Sequence, residues 1–151
     1  MSIFLTESNN NINFSDLKLE PFNVQFYNSL PEDKNSINVK ETSNLFILLY
    51  KNKKIGITGC FIPENHPGHG HFQIYLIKEF RGKKLLPIVS KLVFQKLKLN
   101  SMSSSIRKDN IASIKSHENS KVFKKINKEK ELYLRKNSFL EKNYIRYEYI
   151  N

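Results

Sequence analysis

The chain contains one cysteine, no tryptophan and only five glycines among its 151 residues. A single thiol excludes an internal disulfide, and Cys60 stands in an apolar stretch where a buried, inert thiol is expected. No window approaches the ~18 apolar residues of a membrane span. Residues 1–5 also lack the basic start and long apolar run of a signal peptide. We therefore expect a cytoplasmic protein with no membrane contact.

Acidic residues are also scarce, with 14 Asp and Glu against 25 Lys and Arg, and the imbalance lies in one half of the chain. Residues 1–80 hold seven basic and eight acidic side chains, whereas residues 81–151 hold eighteen basic and six acidic ones, a net charge of +12. The surplus is either a solvated face of a Lys- and Asn-rich chain or the contact surface of an acidic partner. An acidic substrate and a nucleic acid are the two partners of that kind.

The most informative stretch is residues 72–99, whose pattern predicts a strand, a turn and a helix. Residues 72–77 form a continuous β-branched and aromatic run, which is typical of a strand covered on both faces. Apolar residues then recur at the helical spacings of three and four: Leu86, Val89, Val93 and Leu97. Pro87 is tolerated only in the first helical turn, so the helix should begin at about residues 84–86.

The turn between that strand and that helix predicts an anion site. The first N–H groups of a helix have no partner inside the helix and carry partial positive charge. Gly82 lets the backbone bend there, and three cations surround it: Arg81, Lys83 and Lys84. An anionic ligand, such as a phosphate, is the best match for this turn.

The remaining patterns predict a mixed α/β sheet. We expect a short helix over residues 22–30, a loop over residues 31–43, and strands over residues 45–50, 55–62, 101–107, 132–136 and 144–150. Asp109 or Asn110 should cap a helix that extends to Asn127. Strands at both ends of the chain with two long helices between them are typical of such a sheet.

Three of the four histidines fall in residues 63–71, which are expected to form a connecting loop. The spacing H-x-x-H-x-H of His66, His69 and His71 permits metal binding, but closed zinc sites use four ligands and no fourth is nearby. No metal site is therefore predicted. The loop either borders a substrate pocket or is a solvated connection.

The succession of strand, E-F-R-G-K and amphipathic helix resembles the acyl-CoA-binding motif of the GNAT superfamily of N-acetyltransferases. The pattern of that motif, (Q/R)-x-x-G-x-(G/A), wraps the pyrophosphate of coenzyme A. With Arg81 on the basic position, Lys84 and Leu86 stand on the two glycine positions. The chain thus departs from the family pattern where the backbone is expected to approach the ligand.

Two later segments resemble the same family. Asn110, Ser113 and His117 match the helix start that reads N-x-x-(A/S)-x-x-x-(Y/H). Residues 124–150 are similar to the closing hairpin of the branch that holds ribosomal-protein N-terminal and amino-sugar acetyltransferases. The resemblance spans roughly residues 44–150.

The resemblance implies a GNAT fold over residues 1–151, with a central, mostly antiparallel sheet flanked by helices. It implies acetyl-CoA as cosubstrate and, as acceptor, the primary amine of an amino sugar nucleotide or of a protein N-terminus. His117 is the candidate general acid toward the sulfur, and Tyr75 is a candidate base or acceptor ligand. The residues expected to bind the cofactor are Leu76, Ile77, Arg81, Gly82, Lys83, Lys84, Leu85, Asn110 and Ser113.

Two other functions stay open at this stage. The first is a GNAT-fold binding module that has lost catalysis, because side chains occupy both glycine positions. The second is nucleic-acid binding by the basic half, in which aromatic residues surround Arg146: Tyr144, Tyr147 and Tyr149. The oligomeric state is also open, with a dimer among the alternatives.

Overall fold

The computed structural model describes residues 13–151, which form one seven-stranded sheet flanked by helices. Its strands are β1 (Leu17–Pro21), β2 (Leu45–Tyr50), β3 (Lys53–Phe61), β4 (His69–Leu76), β5 (Ser101–Arg107), β6 (Phe123–Lys125) and β7 (Tyr144–Tyr149). Their spatial order is β1-β2-β3-β4-β5-β7-β6, and every neighbouring pair is antiparallel except β4 with β5. The predicted fold class is confirmed. The predicted domain includes residues 1–12, which lie outside the described residues.

Helices cover both faces of this sheet. They are α1 (Val24–Ser29), α2 (Leu86–Lys96), α3 (Ile111–Asn119) and α4 (Lys128–Lys136), with 3-10 turns at Phe14–Asp16, Glu32–Ser36 and Lys78–Phe80. Pro87 lies in the first turn of α2, as predicted. Within the described part of the chain, no helix has the length and apolar content needed to cross a bilayer.

The core consists of one cluster on each face of the sheet. The larger cluster packs α2 against the sheet and includes Val89, Val93, Met102 and Tyr147. The smaller cluster lies under α1 and the segment after it, and includes Leu30, Ile37, Leu45, Ile47, Ile57 and Tyr75. Each large apolar side chain buried in this way contributes roughly 1.5–3 kcal/mol. Because both faces are covered, the central strands are continuous apolar runs.

The predicted helix up to Asn127 is wrong, because α3 ends at Asn119. The Ser120 hydroxyl donates to the His117 carbonyl at 2.7 Å and accepts the N–H groups of Val122 at 3.3 Å and of Phe123, the first residue of β6, at 3.2 Å. Lys121 then takes the left-handed conformation, with φ of 63°. Phe123, which continues the apolar pattern of the helix, instead pairs with Tyr149 in the sheet.

The predicted strand over residues 132–136 is also wrong, because these residues belong to α4. Asn127 accepts the N–H of Lys130 at 2.8 Å and so caps the start of α4, not the end of α3. Glu131 and Arg135 form an ion pair one helical turn apart at 2.8 Å. Acidic residues in the first turn and basic residues in the last favour the helix further.

Candidate active site

Strands β4 and β5 run parallel and then separate. Residues 69–71 of β4 pair with residues 101–103 of β5, after which β7 is the only described strand that pairs with β5. The rest of β4 therefore presents an edge with no described strand against it. Ile77 donates its N–H to the Ile55 carbonyl at 2.8 Å. Strand alternation then directs the N–H groups of Leu76 and Ile74 to the open edge.

Of the two backbone groups predicted to contact a cofactor, Leu76 is placed at this edge and Ile77 is bonded inside the sheet. The gap between the strands is wedge-shaped, with its closed end at His71 and Ser103. An extended ligand that carries amide groups can pair with such an edge as an added strand does.

The turn after β4 has a left-handed backbone at two positions, although only one of them is glycine. Gly82 has φ of 73° and Lys84 has φ of 59°. Lys84 is also the residue that stands on a glycine position of the motif. A non-glycine residue loses roughly 1–2 kcal/mol in this conformation. Burial of the next two side chains, Leu85 and Leu86, offsets that cost.

The first turn of α2 follows directly and has no side-chain cap. Its N–H groups therefore lie next to the cations of the turn. Lys83 is half-buried and Lys84 is exposed, and neither forms an ion pair within residues 13–151. A side chain built on Gly82 would meet no atom of the described residues within 4 Å, so the turn has room above this residue. The arrangement has the charge and the space to accept a phosphate.

Arg81 has a different set of contacts from the one expected of a phosphate ligand. Its Nε donates to the Leu76 carbonyl at 2.8 Å, and its Nη2 donates to Asp33 Oδ2 at 2.9 Å. The Tyr75 hydroxyl donates to the other carboxylate oxygen of Asp33 at 2.7 Å. The guanidinium also lies 5.2 Å from the centre of the Tyr75 ring. We call Asp33, Tyr75 and Arg81 the Asp33 clasp; it joins the 3-10 turn Glu32–Ser36 to the end of β4.

The clasp fixes the protonation of its members. Hydrogen bonds from Tyr75 and Arg81 lower the pKa of Asp33, which is therefore a carboxylate at neutral pH. Burial and the hydrogen bond to Asp33 raise the pKa of Tyr75. The phenol stays protonated and directed at Asp33, an arrangement in which it holds the segment over the sheet and is not free to act as a base.

His117 lies in the core, with 1% of its surface exposed. Its Nδ1 is 2.8 Å from the Ser113 carbonyl, and its Nε2 is 2.9 Å from Ser104 Oγ. Because a carbonyl only accepts, Nδ1 carries the hydrogen and Nε2 accepts from the serine. Burial lowers the pKa of the imidazole, so the ring is neutral. The ring also packs on Phe123 and Tyr147.

Both ring nitrogens of His117 thus have partners, and no N–H is left to donate to a leaving group. The other two residues of this motif belong to the start of α3. Asn110 Oδ1 accepts the Ser113 N–H at 3.2 Å and caps the helix, as predicted. These three residues form a local chain of hydrogen bonds in the described structure.

The face of the sheet under α1 carries polar residues that sequence reasoning did not connect. Gln73 Oε1 accepts the Asn38 N–H at 2.6 Å, which holds the segment after α1 over β4. Arg146 Nε donates to Ser105 Oγ at 2.7 Å on the far side of the split. His69 and His71, expected in a loop, belong to β4 and face the same side. The sequence signal that could have placed them on one face is the two-residue alternation of side chains along a strand.

Cys60 and the three clustered histidines have the following surroundings. Cys60 is buried, and burial raises the pKa of its thiol to about 12, so it is not a nucleophile near neutral pH. The rings of His66 and His69 stack at 5.1 Å, and both nitrogens of His69 contact serines. The described residues contain no group of three or more His, Cys, Asp or Glu placed to hold a metal ion.

No protein-family model and no curated protein matches the sequence. Solved structures do match the fold. The N-acetyltransferase PseH of Campylobacter jejuni, in complex with acetyl coenzyme A, has a TM-score of 0.61 at 15% identity, over 89% of this chain and 99% of that one. A chimera of the spermidine N-acetyltransferase SpeG from Vibrio cholerae and hSSAT has a TM-score of 0.58 at 16% identity, over 90% and 96% of the two chains.

RimL, a ribosomal L7/L12 α-N-protein acetyltransferase in complex with coenzyme A, has a TM-score of 0.58 at 12% identity, over 90% of this chain and 94% of that one. All three likenesses span nearly the whole of each neighbour. The chain therefore has the GNAT fold of the N-acetyltransferases, as the motifs of its sequence predict.

Proposed function

We propose that this chain is an N-acetyltransferase that uses acetyl-CoA to acetylate a primary amine. The observation that carries the proposal is the open edge of β4, which leads directly into a cationic turn and an uncapped helix start. The two parts suit the two ends of one ligand, because an amide-bearing arm pairs with a strand edge and a diphosphate binds a helix start. PseH, whose fold matches over most of this chain, binds acetyl coenzyme A, which supports the proposal.

The residues of the turn fit this cofactor. Gly82, Lys83, Lys84 and Leu85 would hold the diphosphate, by backbone N–H groups and by two lysine side chains that form no ion pair with a described residue. Leu76 would direct its N–H at the thioester or at the pantetheine arm. Two other predicted ligands, Ile77 and Arg81, would first have to give up their bonds to Ile55 and to Asp33. Contacts from Asn110 and Ser113 stay a prediction.

The reaction needs a neutral amine, a polarised carbonyl and a proton for the departing thiolate. When bound, acetyl-CoA supplies the activated acyl group. The Leu76 N–H is suited to stabilise the negative charge that develops on the carbonyl oxygen. The roles of His117 and Tyr75 in proton transfer stay predictions, since the N–H of the first and the O–H of the second are directed at Ser113 and Asp33.

The acceptor that we propose is an amino sugar nucleotide or a protein N-terminus, with a polyamine as the further alternative raised by the SpeG chimera. Arg146 on the sheet face under α1 favours an acceptor that carries an anionic group. The excess of cations in residues 81–151 would favour the same class of acceptor or a separate acidic partner. A cytoplasmic location and a single domain over residues 1–151 stay predictions, and the oligomeric state stays open.

Calorimetry with acetyl-CoA, followed by an acceptor screen, tests the proposal. The screen contains UDP-linked amino sugars, peptides with free N-termini and spermidine, and acetyl transfer is measured by release of the free thiol. The double variant Lys83→Gln/Lys84→Gln should weaken acetyl-CoA binding about tenfold and reduce its salt dependence. Lys91→Gln/Lys96→Gln, which removes the same charge from the exposed side of α2, is the matched control. No binding at millimolar acetyl-CoA would overturn the proposal.

A binding module without catalysis is the second candidate, and it is favoured by the Arg81 contacts with Asp33. In such a module the cofactor binds while no amine in the screen is acetylated.

The structure does not favour the nucleic-acid alternative. Tyr147 is 1% exposed and Tyr149 packs on Phe94 at 5.0 Å, so neither offers an exposed ring on which a base could stack.

A further inference from the structure

Two histidines and two serines form a continuous row of hydrogen bonds at the closed end of the split. His71 Nδ1 is 3.2 Å from Ser103 Oγ, and the same oxygen is 3.0 Å from His69 Nε2. On its other side His69 Nδ1 is 2.7 Å from Ser101 Oγ. We call these four residues the His–Ser row. It crosses between β4 and β5 where the strands are last paired.

The two ends of the row have different surroundings. Ser103 is buried, whereas Ser101 at the far end is exposed to solvent. His71 stands at the last paired position before the strands separate, next to the open edge of β4. Its Nε2 forms no hydrogen bond with any described residue. The row therefore leads from the opening of the split to solvent.

Each member of the row can donate one hydrogen and accept another. A neutral imidazole has one N–H and one lone pair on opposite sides of the ring, and a hydroxyl has both on one oxygen. A proton that reaches His71 Nε2 lets Nδ1–H pass its hydrogen to Ser103. Ser103 then passes its own hydrogen to His69 Nε2, and His69 Nδ1–H passes one to Ser101 and solvent. Each imidazole is left as the other neutral tautomer.

We propose that the His–Ser row carries the proton lost by the acceptor ammonium from the split to solvent. The inference rests on the proposed acetyl transfer. An acceptor that binds as R–NH3⁺ gives one proton to the row and becomes R–NH2, whose lone pair attacks the thioester. The C–S bond breaks, the second nitrogen proton neutralises the thiolate, and the products are the amide, the free thiol and one proton in solvent.

The charges around the row suit passage of a proton and oppose its storage. The groups that face it are His66 from the β3–β4 connection, Arg146 and Glu148 from β7, and Lys130 from α4. Burial and the neighbouring positive groups lower the pKa of His71 to about 4 and also lower the pKa of His69. Both rings are therefore neutral at pH 7, the state in which each has a donor and an acceptor.

The pH dependence of acetyl transfer to two simple amines tests the row. Glycinamide has an α-amino pKa of about 8, and Nα-acetyl-lysine amide has a side-chain pKa of about 10.4. If wild type binds the ammonium form and removes its proton, kcat/KM for the lysine amide is flat from pH 7 to 9, because this amine stays an ammonium ion over the whole range. His71→Gln and Ser103→Ala can use only free amine. At pH 7 they should lose about tenfold with glycinamide and about 10³-fold with the lysine amide. Their kcat/KM should then rise about tenfold per pH unit until the pH reaches the pKa of each amine.

His66→Gln is the matched control, because this exposed side chain stacks on His69 but makes no hydrogen bond in the row. Its profile should follow wild type within about twofold. If kcat/KM of His71→Gln and Ser103→Ala depends on pH as it does in wild type, the proposed proton relay is wrong and the acetyltransferase proposal is unaffected. Absence of acetyl transfer to every amine by wild type would overturn both.

A spectroscopic measurement on the protein without substrates checks the row itself. In ¹⁵N-detected imidazole spectra, His69 and His71 should be neutral at pH 6. Ser103→Ala should shift His71 Nδ1 and His69 Nε2 while the His66 nitrogens keep their positions. Unchanged shifts of all three rings in Ser103→Ala would show that the hydrogen-bonded row does not form and would overturn the proposal.

Discussion

The two sides of the β4–β5 split are built in different ways. The side proposed for the cofactor consists mainly of backbone: the open edge of β4, a left-handed turn at Lys84 and the uncapped start of α2. The side proposed for the acceptor consists of side chains: the Asp33 clasp, the contact of Gln73 with Asn38, and the His–Ser row. A backbone site tolerates changes of residue type that a side-chain site does not.

This difference accounts for the departure from the motif. Lys84 stands on a glycine position of the motif and has a left-handed backbone, a conformation that glycine adopts without steric cost. On the acceptor side no such substitution is neutral, because each contact depends on one functional group. Specificity among acceptors should therefore reside in the side chains over the sheet.

The largest predicted effect concerns His117, which tests whether the cofactor side needs a side chain for chemistry. His117→Ala removes a buried ring and the hydrogen-bond partner of Ser104. The free energy of unfolding should therefore fall by about 3 kcal/mol, and Tm by roughly 10 °C. His117→Phe keeps the ring volume and should lose less. Turnover of the folded variants should change little.

The opposite result would support the predicted role of His117 as the general acid. In that case both variants lose roughly 10²–10³-fold in kcat, the usual range for a lost proton donor, and His117→Phe does so at nearly unchanged Tm. Measurement of Tm and kcat on the same two variants separates the roles. Calorimetry with acetyl-CoA should show little change in affinity under either role.

Elements that follow from a local sequence pattern could be predicted, whereas contacts between side chains far apart in sequence could not. Periodicity predicted β2, β5 and the start of α2, because burial on two faces fixes which residues can stand there. A cap at Asp109 or Asn110 was predicted from residue type, and the helix is capped by Asn110. The error at the end of α3 arises because the apolar residues of segment 120–127 fit either a helix or a strand, and pairing with β7 decides for the strand.

The Asp33 clasp could not be predicted, because Asp33 lies 42 residues from Tyr75 and 48 from Arg81 and stands in a polar segment without periodicity. The His–Ser row joins residues 32 and 34 apart through the pairing of two strands. Local patterns carry no information about such partners until the strand register is known.

The second predicted effect is a loss of stability in mild acid that originates mainly on the acceptor side. The folded-state pKa of His71, about 4, lies below its usual value of 6.5, and the pKa values of His69 and His117 are lowered too. The unfolded chain therefore binds protons first as pH falls. Stability should be full above pH 6.5 and fall by roughly 1 kcal/mol between pH 7 and 5.

Urea denaturation at pH 7 and pH 5 measures this effect, and His71→Gln should reduce the difference. Asp33 does not contribute to the change between pH 7 and pH 5. Its pKa is lowered from 3.8, so its contribution to stability is lost only at lower pH. If the free energy of unfolding falls equally between pH 7 and pH 5 in wild type and in His71→Gln, the His71 ring is not buried as described.

The third prediction breaks the Asp33 clasp. Asp33→Asn should raise the KM of the acceptor about tenfold at nearly constant kcat, because the 3-10 turn Glu32–Ser36 loses its tie to β4. It should also free Arg81, so acetyl-CoA affinity should rise a few-fold. Asp109→Asn is the matched control: its ion pair with Arg107 is also exposed and has the same length, 2.9 Å. Equal kinetics for the two variants would mean that the clasp does not position the acceptor segment.

The smallest predicted effect isolates the backbone of the cofactor side. Lys84→Gly and Lys84→Ala remove the same charge, and both should weaken acetyl-CoA binding by the same few-fold factor with a reduced salt dependence. Only glycine relieves the left-handed strain at φ of 59°. Relative to Lys84→Ala, Lys84→Gly should be more stable by up to about 1 kcal/mol, because relief of roughly 1–2 kcal/mol is partly offset by the extra chain entropy of glycine. Denaturation of the two variants measures this difference, and if Lys84→Gly proves the less stable of the pair, the turn does not hold a strained left-handed conformation at this position.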